Sequence, residues 1–296
     1  MNYYNEIKNK LIDNETYSRI KDYSKERHKV LTYFEIGKLL NEAGGKYGDK
    51  ILEEYSKKLV VEVGKKYNKR TLFRMKQFYN IFSNQKVSTM STQLSWSHYT
   101  ELLPIKDKNI LLYYLNISIQ QRLDVRSLRE KIKSKEYERL PETTKYKLIN
   151  NKEPSLVDLI KNPIIIRNKN NYNYISERIL QKVILEDIPS FLEELGTGFT
   201  FIKNEYKIKL GDSYNYIDLL LFNIEYNCYV VIELKVTELK KEHIGQIEIY
   251  MNYIDNNLKK ITHDKTVGII ICKEDNQYVI KYTSDNRIIS RVYKMI

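Results

Sequence analysis

The run Tyr-Val-Val-Ile-Glu-Leu-Lys-Val at residues 229–236 restricts this chain more than any other stretch. Its β-branched and aromatic residues read as a strand, but two charges, Glu233 and Lys235, interrupt it. Side chains alternate along a strand, so these two share one face while Leu234 points to the other. Charge in so apolar a setting is costly unless it is paired or bound to metal. Asp218 is a second such case, set in the preceding apolar run at 217–222. Residues 224–227 supply a turn between the two runs, which makes a hairpin and brings Asp218 near Glu233.

Two carboxylates on adjacent strands offer hard oxygen ligands. With waters and the Leu234 backbone carbonyl they suit the octahedral shell of Mg²⁺, for which Mn²⁺ can substitute. A cation there polarises a scissile phosphate and acidifies a bound water for in-line attack, while Lys235 orients that water or meets the charge developing on the phosphoryl oxygens. The same three residues also suit a structural salt bridge, and the residues alone leave both readings open.

The rest of the chain divides by pattern and by charge. Residues 1–140 read as mostly helical, with the clearest helices at 31–43, 49–63, 69–82 and 125–134. Residues 1–150 carry 30 Lys and Arg against 18 Asp and Glu, whereas 151–296 carry 20 against 20, so the whole net charge of +12 is N-terminal. Such an asymmetry attracts polyanions, and nucleic acid is the usual one. The helices at 49–63 and 69–82 flank a short basic turn, Asn68 is an N-cap for the second, and that second helix sets Lys69, Arg70, Arg74 and Lys76 among apolar residues. A helix-turn-helix or winged-helix-like unit offering those four cations to DNA is the expectation. Trp96 and His98 are expected to pack or cap locally.

Helical patterning lapses across 141–170, which holds Pro141, Pro154 and Pro163 and reads as a linker. Residues 171–296 then give a helix at 175–195, short β runs at 199–203, 206–210, 216–222 and 229–236, a helix at 242–258, an apolar strand at 267–272 and a further β run at 278–282. The expected fold is therefore α+β overall, an all-helical domain followed by an α/β domain with a mixed central sheet. Cys228 and Cys272 fall in apolar strand-like runs and read as buried thiols of a reducing compartment. The first ten residues lack a signal peptide's apolar core and no run approaches membrane-spanning length, so a cytoplasmic protein with no membrane partner is expected.

Asp218, fifteen positions before Glu233 and followed there by Glu-Leu-Lys, resembles the D…ExK motif of PD-(D/E)XK nucleases. Residues 191–199, 216–222, 230–235, Gly245-Gln246 with Tyr250 and Tyr253, and 268–273 together resemble the YhcG-type nucleases, as do 33–39, 72–79 and 94–98 in the helical half. The resemblance implies a restriction-endonuclease-like core, a DNA-binding role for the front domain, and further site residues. Glu177 on the first core helix matches an acidic position often aimed at the metal. Gln246 and Tyr250 match a QxxxY motif, and their spacing puts them on one helical face, where either a role at Lys235 or a phosphate, or plain helix packing, is open. Ile217 stands where the strict motif has proline. His243 and His263 lack metal-ligand spacing, and His243 reads as a surface or helix-start residue. No Gly-rich phosphate loop occurs, so ATP dependence is not expected.

These features point to an Mg²⁺-dependent DNA endonuclease whose basic helical domain holds the duplex. Two other readings remain at this point: a catalytically silent DNA-binding scaffold, and a structure-selective or RNA-directed nuclease. Paired cuts need two active sites, so a homodimer or a protein partner is also expected.

Overall fold

The computed structural model describes residues 3–18, 24–47, 50–83, 94–150, 152–283 and 285–296. Two compact units divide the chain after Tyr137.

The first unit is helical throughout its described residues: α1 (Tyr3–Ser18), α2 (Lys25–Tyr47), α3 (Lys50–Glu62), α4 (Lys69–Phe82), α5 (Trp96–Leu102), α6 (Lys108–Gln120) and α7 (Val125–Lys133). No strand, and so no wing, occurs among them; position 49, with which the second expected helix opened, lies outside the described residues. Asn68 caps α4, its side-chain oxygen accepting the Thr71 amide at 3.1 Å. Leu72, Met75, Phe78 and Phe82 then form the buried stripe of α4, at the spacing that makes a helix amphipathic. Phe78 meets Phe34, Phe82, Trp96 and Tyr99 in an aromatic cluster. Gly37 on α2 lets the two helices meet, because a Cβ there would lie 2.1 Å from the Met75 carbonyl oxygen. Trp96 packs as expected, and His98 both caps α5 through Ser95 and bonds the Leu123 carbonyl at 2.9 Å.

The second unit is a six-stranded mixed sheet in the order β1-β6-β5-β4-β3-β2, with strands β1 (Ile164–Ile166), β2 (Phe199–Leu210), β3 (Ser213–Asn223), β4 (Cys228–Leu234), β5 (Asp264–Cys272) and β6 (Ile288–Met295). Pairs β2–β3 and β3–β4 are antiparallel, and β4–β5, β5–β6 and β1–β6 are parallel. Helices α8 (Glu142–Ile149) and α9 (Leu156–Leu159) precede the sheet, α10 (Glu177–Glu186) and α11 (Ile188–Leu195) follow β1, α12 (Lys241–Asn257) joins β4 to β5, and α13 (Gln277–Lys281) precedes β6. One face of the sheet buries Leu219, Leu221, Val230, Ile232 and Leu234 against Leu180, Val183, Ile184, Phe191 and Leu195 of α10 and α11. The other buries Leu220, Val231, Ile270 and Cys272 against Ile247, Tyr250, Met251 and Ile254 of α12. Gly268 on β5 sits beneath α12, where a Cβ would come within 2.5 Å of the Met251 sulfur.

Four expectations change. The stretch 141–170 is folded into this unit: Leu156, Ile160, Ile164 and Ile166 are buried in its core and β1 pairs with β6. The helix expected over 175–195 breaks at Asp187, whose backbone leaves the helical region just before Pro189, since proline fits only the first turn of a new helix. The runs 199–203 and 206–210 are one strand, β2, with a bulge between Phe201 and Lys203. Residues 277–281 are helical because Asn276 caps them, and Tyr278 and Tyr282 are left exposed. Both cysteines are buried free thiols, as expected, and burial pushes them up to about 11 (Cys228) and about 12 (Cys272). No helix among the described residues is long and apolar enough to cross a membrane.

Candidate active site

The β3–β4 hairpin places three charges at one end of the sheet. Leu219 pairs with Ile232, so the next step of the antiparallel register sets Asp218 opposite Glu233. Asp218 Oδ2 accepts the Leu234 amide at 2.7 Å. Lys235, one residue past the end of β4, donates to Glu233 Oε1 at 2.8 Å and lies 3.7 Å from Glu177 Oε2 on the first turn of α10. Glu233 is 2% exposed, and its second oxygen, Oε2, is buried with no hydrogen-bond partner.

Burial disfavours the ionised carboxylate, and Asp218 adds a like charge, so Glu233 is pushed up to about 7 although Lys235 pulls the other way. Asp218 is also raised, chiefly by burial, with Glu177 and Glu205 adding to it and the Leu234 amide and Lys235 opposing. Burial alone would lower Lys235, but Glu233, Glu177 and Asp218 outweigh it and hold the ammonium above its ordinary value. One lysine thus serves three carboxylates, so the cluster is short of positive charge. That deficit, with the orphaned Glu233 oxygen, is what a divalent cation site requires. Among the described residues no group of three or more His, Cys, Asp and Glu side chains is placed to hold a metal ion. Two carboxylates suit a hard cation that retains several waters, such as Mg²⁺, better than one needing an all-protein shell.

Gln246 and Tyr250, one turn apart on α12, bond to each other, Gln246 Nε2 donating to the Tyr250 hydroxyl at 2.9 Å. Tyr250 is buried, and its phenol is raised first by burial, then by the charges of Glu233 and Asp218, with the Gln246 bond opposing. The sheet face carrying Glu233 is therefore the one α12 covers. Glu194 on α11 is engaged elsewhere: Arg139 grips it, Lys161 lies 3.6 Å away and the Ile165 amide bonds it.

Three residues at the site escaped the sequence reading. Gln181, one turn beyond Glu177 on α10, donates to the Asp218 carbonyl at 3.1 Å and so fixes the backbone of that residue. A glutamine in the buried stripe of an amphipathic helix is the signal that identifies it. Glu205 on β2 takes a left-handed φ of 46° and adds its charge near Asp218. His243 accepts the Lys240 amide at the start of α12, as expected of a helix-start residue, but burial and Lys235 also lower its pKa, which puts it at the rim of the cluster.

The four cations of α4 have different surroundings. Lys69 lies 3.5 Å from Glu53, whose carboxylate also holds Lys57 at 3.2 Å, and Arg70 is exposed. Arg74 is half-buried near Glu101. Lys76 lines a groove of about 470 Å³ together with Phe73, Asn80 and Lys106.

A sheet that brings an aspartate, a glutamate and a lysine together at the end of a central hairpin defines a PD-(D/E)XK-type nuclease domain, and residues 157–293 match the family model described as the YhcG PDDEXK nuclease domain. Residues 9–139 match the DUF1016 N-terminal domain. The chain belongs to the YhcG family of nucleases, which joins these two parts. YhcG of Escherichia coli (strain K12), a protein named as a candidate nuclease, is 23% identical over 309 residues, covering 89% of this chain and 82% of the relative. Among solved structures, a repair endonuclease from Pyrococcus abyssi is 16% identical with a TM-score of 0.29, covering 43% of this chain and 49% of its own. EndoMS in complex with double-stranded DNA is 17% identical with a TM-score of 0.30, covering 43% and 48%. The chain thus spans about half the length of those structures.

Proposed function

We propose that this nuclease is a divalent-metal-dependent DNA endonuclease in which Asp218 and Glu233, with the Leu234 carbonyl, hold Mg²⁺ or Mn²⁺. The observation that carries the reading is the buried Glu233 oxygen without a partner, beside a second, half-buried carboxylate. A purely structural ion pair accounts for Glu233 Oε1 and Lys235, but leaves Oε2 desolvated for no return. The bound cation supplies positive charge at the scissile phosphate and a more acidic water. Lys235, held by Glu233 and Glu177, keeps a fixed ammonium where charge develops on the phosphoryl oxygens, and it needs no reorganisation to do so. Gln181 and the Leu234 amide fix Asp218 from its backbone and side chain. Gln246 and Tyr250 offer an amide and a phenol to Lys235 or to a phosphate on the same face. Lys69, Arg70, Arg74 and Lys76 of the basic helical unit contact backbone phosphates and hold the substrate.

The test is cleavage of plasmid, linear, single-stranded and branched DNA, and of RNA, with Mg²⁺ or Mn²⁺, by wild type, Asp218→Ala and Glu233→Ala. Metal-dependent cutting of DNA lost in both variants is expected. Tight DNA binding without cutting of any substrate would instead make the protein a scaffold.

A further inference from the structure

The β2–β3 hairpin runs past the cluster. From Ile217 back to Ser213, β3 pairs with β2 alone, so this half of the hairpin extends beyond the end of β4. Its residues divide sharply. Ile208 and Ile217 are buried and join the core under α12, and they hold the hairpin down. Tyr214 and Tyr216 are 54% and 52% exposed, and Lys207 and Lys209 are exposed beside them. Lys207 stands directly across from Tyr216 and Lys209 across from Tyr214, while the Lys207 ammonium lies 3.7 Å from the Tyr214 ring centre. Between Tyr206 and Ile217 the charged residues are Lys207, Lys209 and one acid, Asp212. Tyr216 precedes Asp218 by two residues, roughly 7 Å along the strand.

Cross-strand Lys–Tyr pairs add a little to hairpin stability, yet two aromatic rings left half in water on one short segment are more than that purpose needs. Aromatic rings among lysines are the surface on which unpaired bases stack while their phosphates are neutralised. Base pairs inside a duplex are stacked on both sides and offer no such free π face. We propose that the outward face of this hairpin, Tyr214 and Tyr216 with Lys207 and Lys209, is a stacking platform for unpaired nucleotides beside the cleavage site, so that the substrate class is single-stranded or branched DNA. The proposal rests on the nuclease reading for the role of the neighbouring cluster, but binding tests it without cleavage.

The experiment is fluorescence anisotropy with the full chain in EDTA, using a labelled oligothymidylate, a forked duplex and a blunt duplex. Three proteins are compared: wild type, Tyr214→Val/Tyr216→Val, which keeps β-branched strand residues but cannot stack, and Tyr214→Phe/Tyr216→Phe, which keeps the rings. The Val pair is expected to weaken binding of the oligothymidylate and the fork by about tenfold or more relative to the blunt duplex. The Phe pair is expected to bind all three as wild type does. Equal losses on all three DNAs, or no loss in the Val pair, would overturn the proposal. A chain that cuts DNA but binds without regard to these tyrosines overturns this inference alone. One that binds single strands through them yet cuts nothing keeps it and overturns the nuclease reading.

Discussion

The two units treat charge in opposite ways. The helical unit carries its cations at the surface, many in one-turn or two-helix pairs such as Lys57 and Lys69 on Glu53, Lys58 on Glu54 and Lys8 on Glu62. Exposed pairs of this kind contribute little to stability and are screened by salt. The sheet unit is close to neutral, yet it gathers the buried Glu233 and the half-buried Asp218 and Lys235 in one cluster with a carboxylate oxygen left unbonded. Surface charge is spread over many residues that tolerate loss singly. Buried charge that is incompletely paired, as at Glu233, opposes folding and persists where it does something else.

The comparison breaks most readily at Lys235. Lys235→Met is expected to lower the single-turnover cleavage rate by about 10²- to 10³-fold, the usual cost of removing one preorganised partner of a developing charge. A loss under tenfold would make Lys235 a structural cation. The next effect is on stability. Because Glu233 is raised from 4.5 to about 7, its folded state prefers the protonated form. The associated stability is fully present below about pH 4.5 and is lost as pH rises through 7. In EDTA, the stability of wild type relative to Glu233→Gln is therefore expected to fall by on the order of 2–3 kcal/mol between pH 4.5 and 8, measured by urea denaturation. A flat difference would show that the carboxylate is not desolvated.

The basic surface of α4 predicts a smaller, salt-dependent effect. Replacing Lys69, Arg70, Arg74 and Lys76 together by alanine is expected to weaken DNA binding about ten- to hundredfold near physiological salt. The slope of log affinity against log salt should shrink by up to about one per lost phosphate contact. An unchanged slope would remove α4 from the interface. The smallest effect belongs to a single exposed pair: Lys57→Ala is expected to shift Tm by less than about 2 °C, and a larger shift would contradict the contrast between the units.

Much of the site was legible in the sequence, because it depends on local geometry. Strand alternation alone puts Glu233 and Lys235 on one face, and a turn at 224–227 suffices to bring Asp218 opposite, where Leu219 pairs with Ile232. The start of α4 was equally local, fixed by the Asn68 cap. Gln181 was missed because its partner is a backbone carbonyl 37 positions away, which no spacing rule reports. Residues 141–170 were misread for a related reason: prolines and polar residues mark an interruption, but whether Ile164 and Ile166 are covered depends on β6, more than a hundred residues later. Which residue types face one another across adjacent strands follows from the sequence, since period and turn chemistry are properties of neighbouring residues. That Glu177 reaches Lys235, that one Glu233 oxygen is left without a partner, and that Tyr214 and Tyr216 remain partly in water are facts of the assembled fold, because burial and electrostatics are set by segments that meet only when the sheet forms.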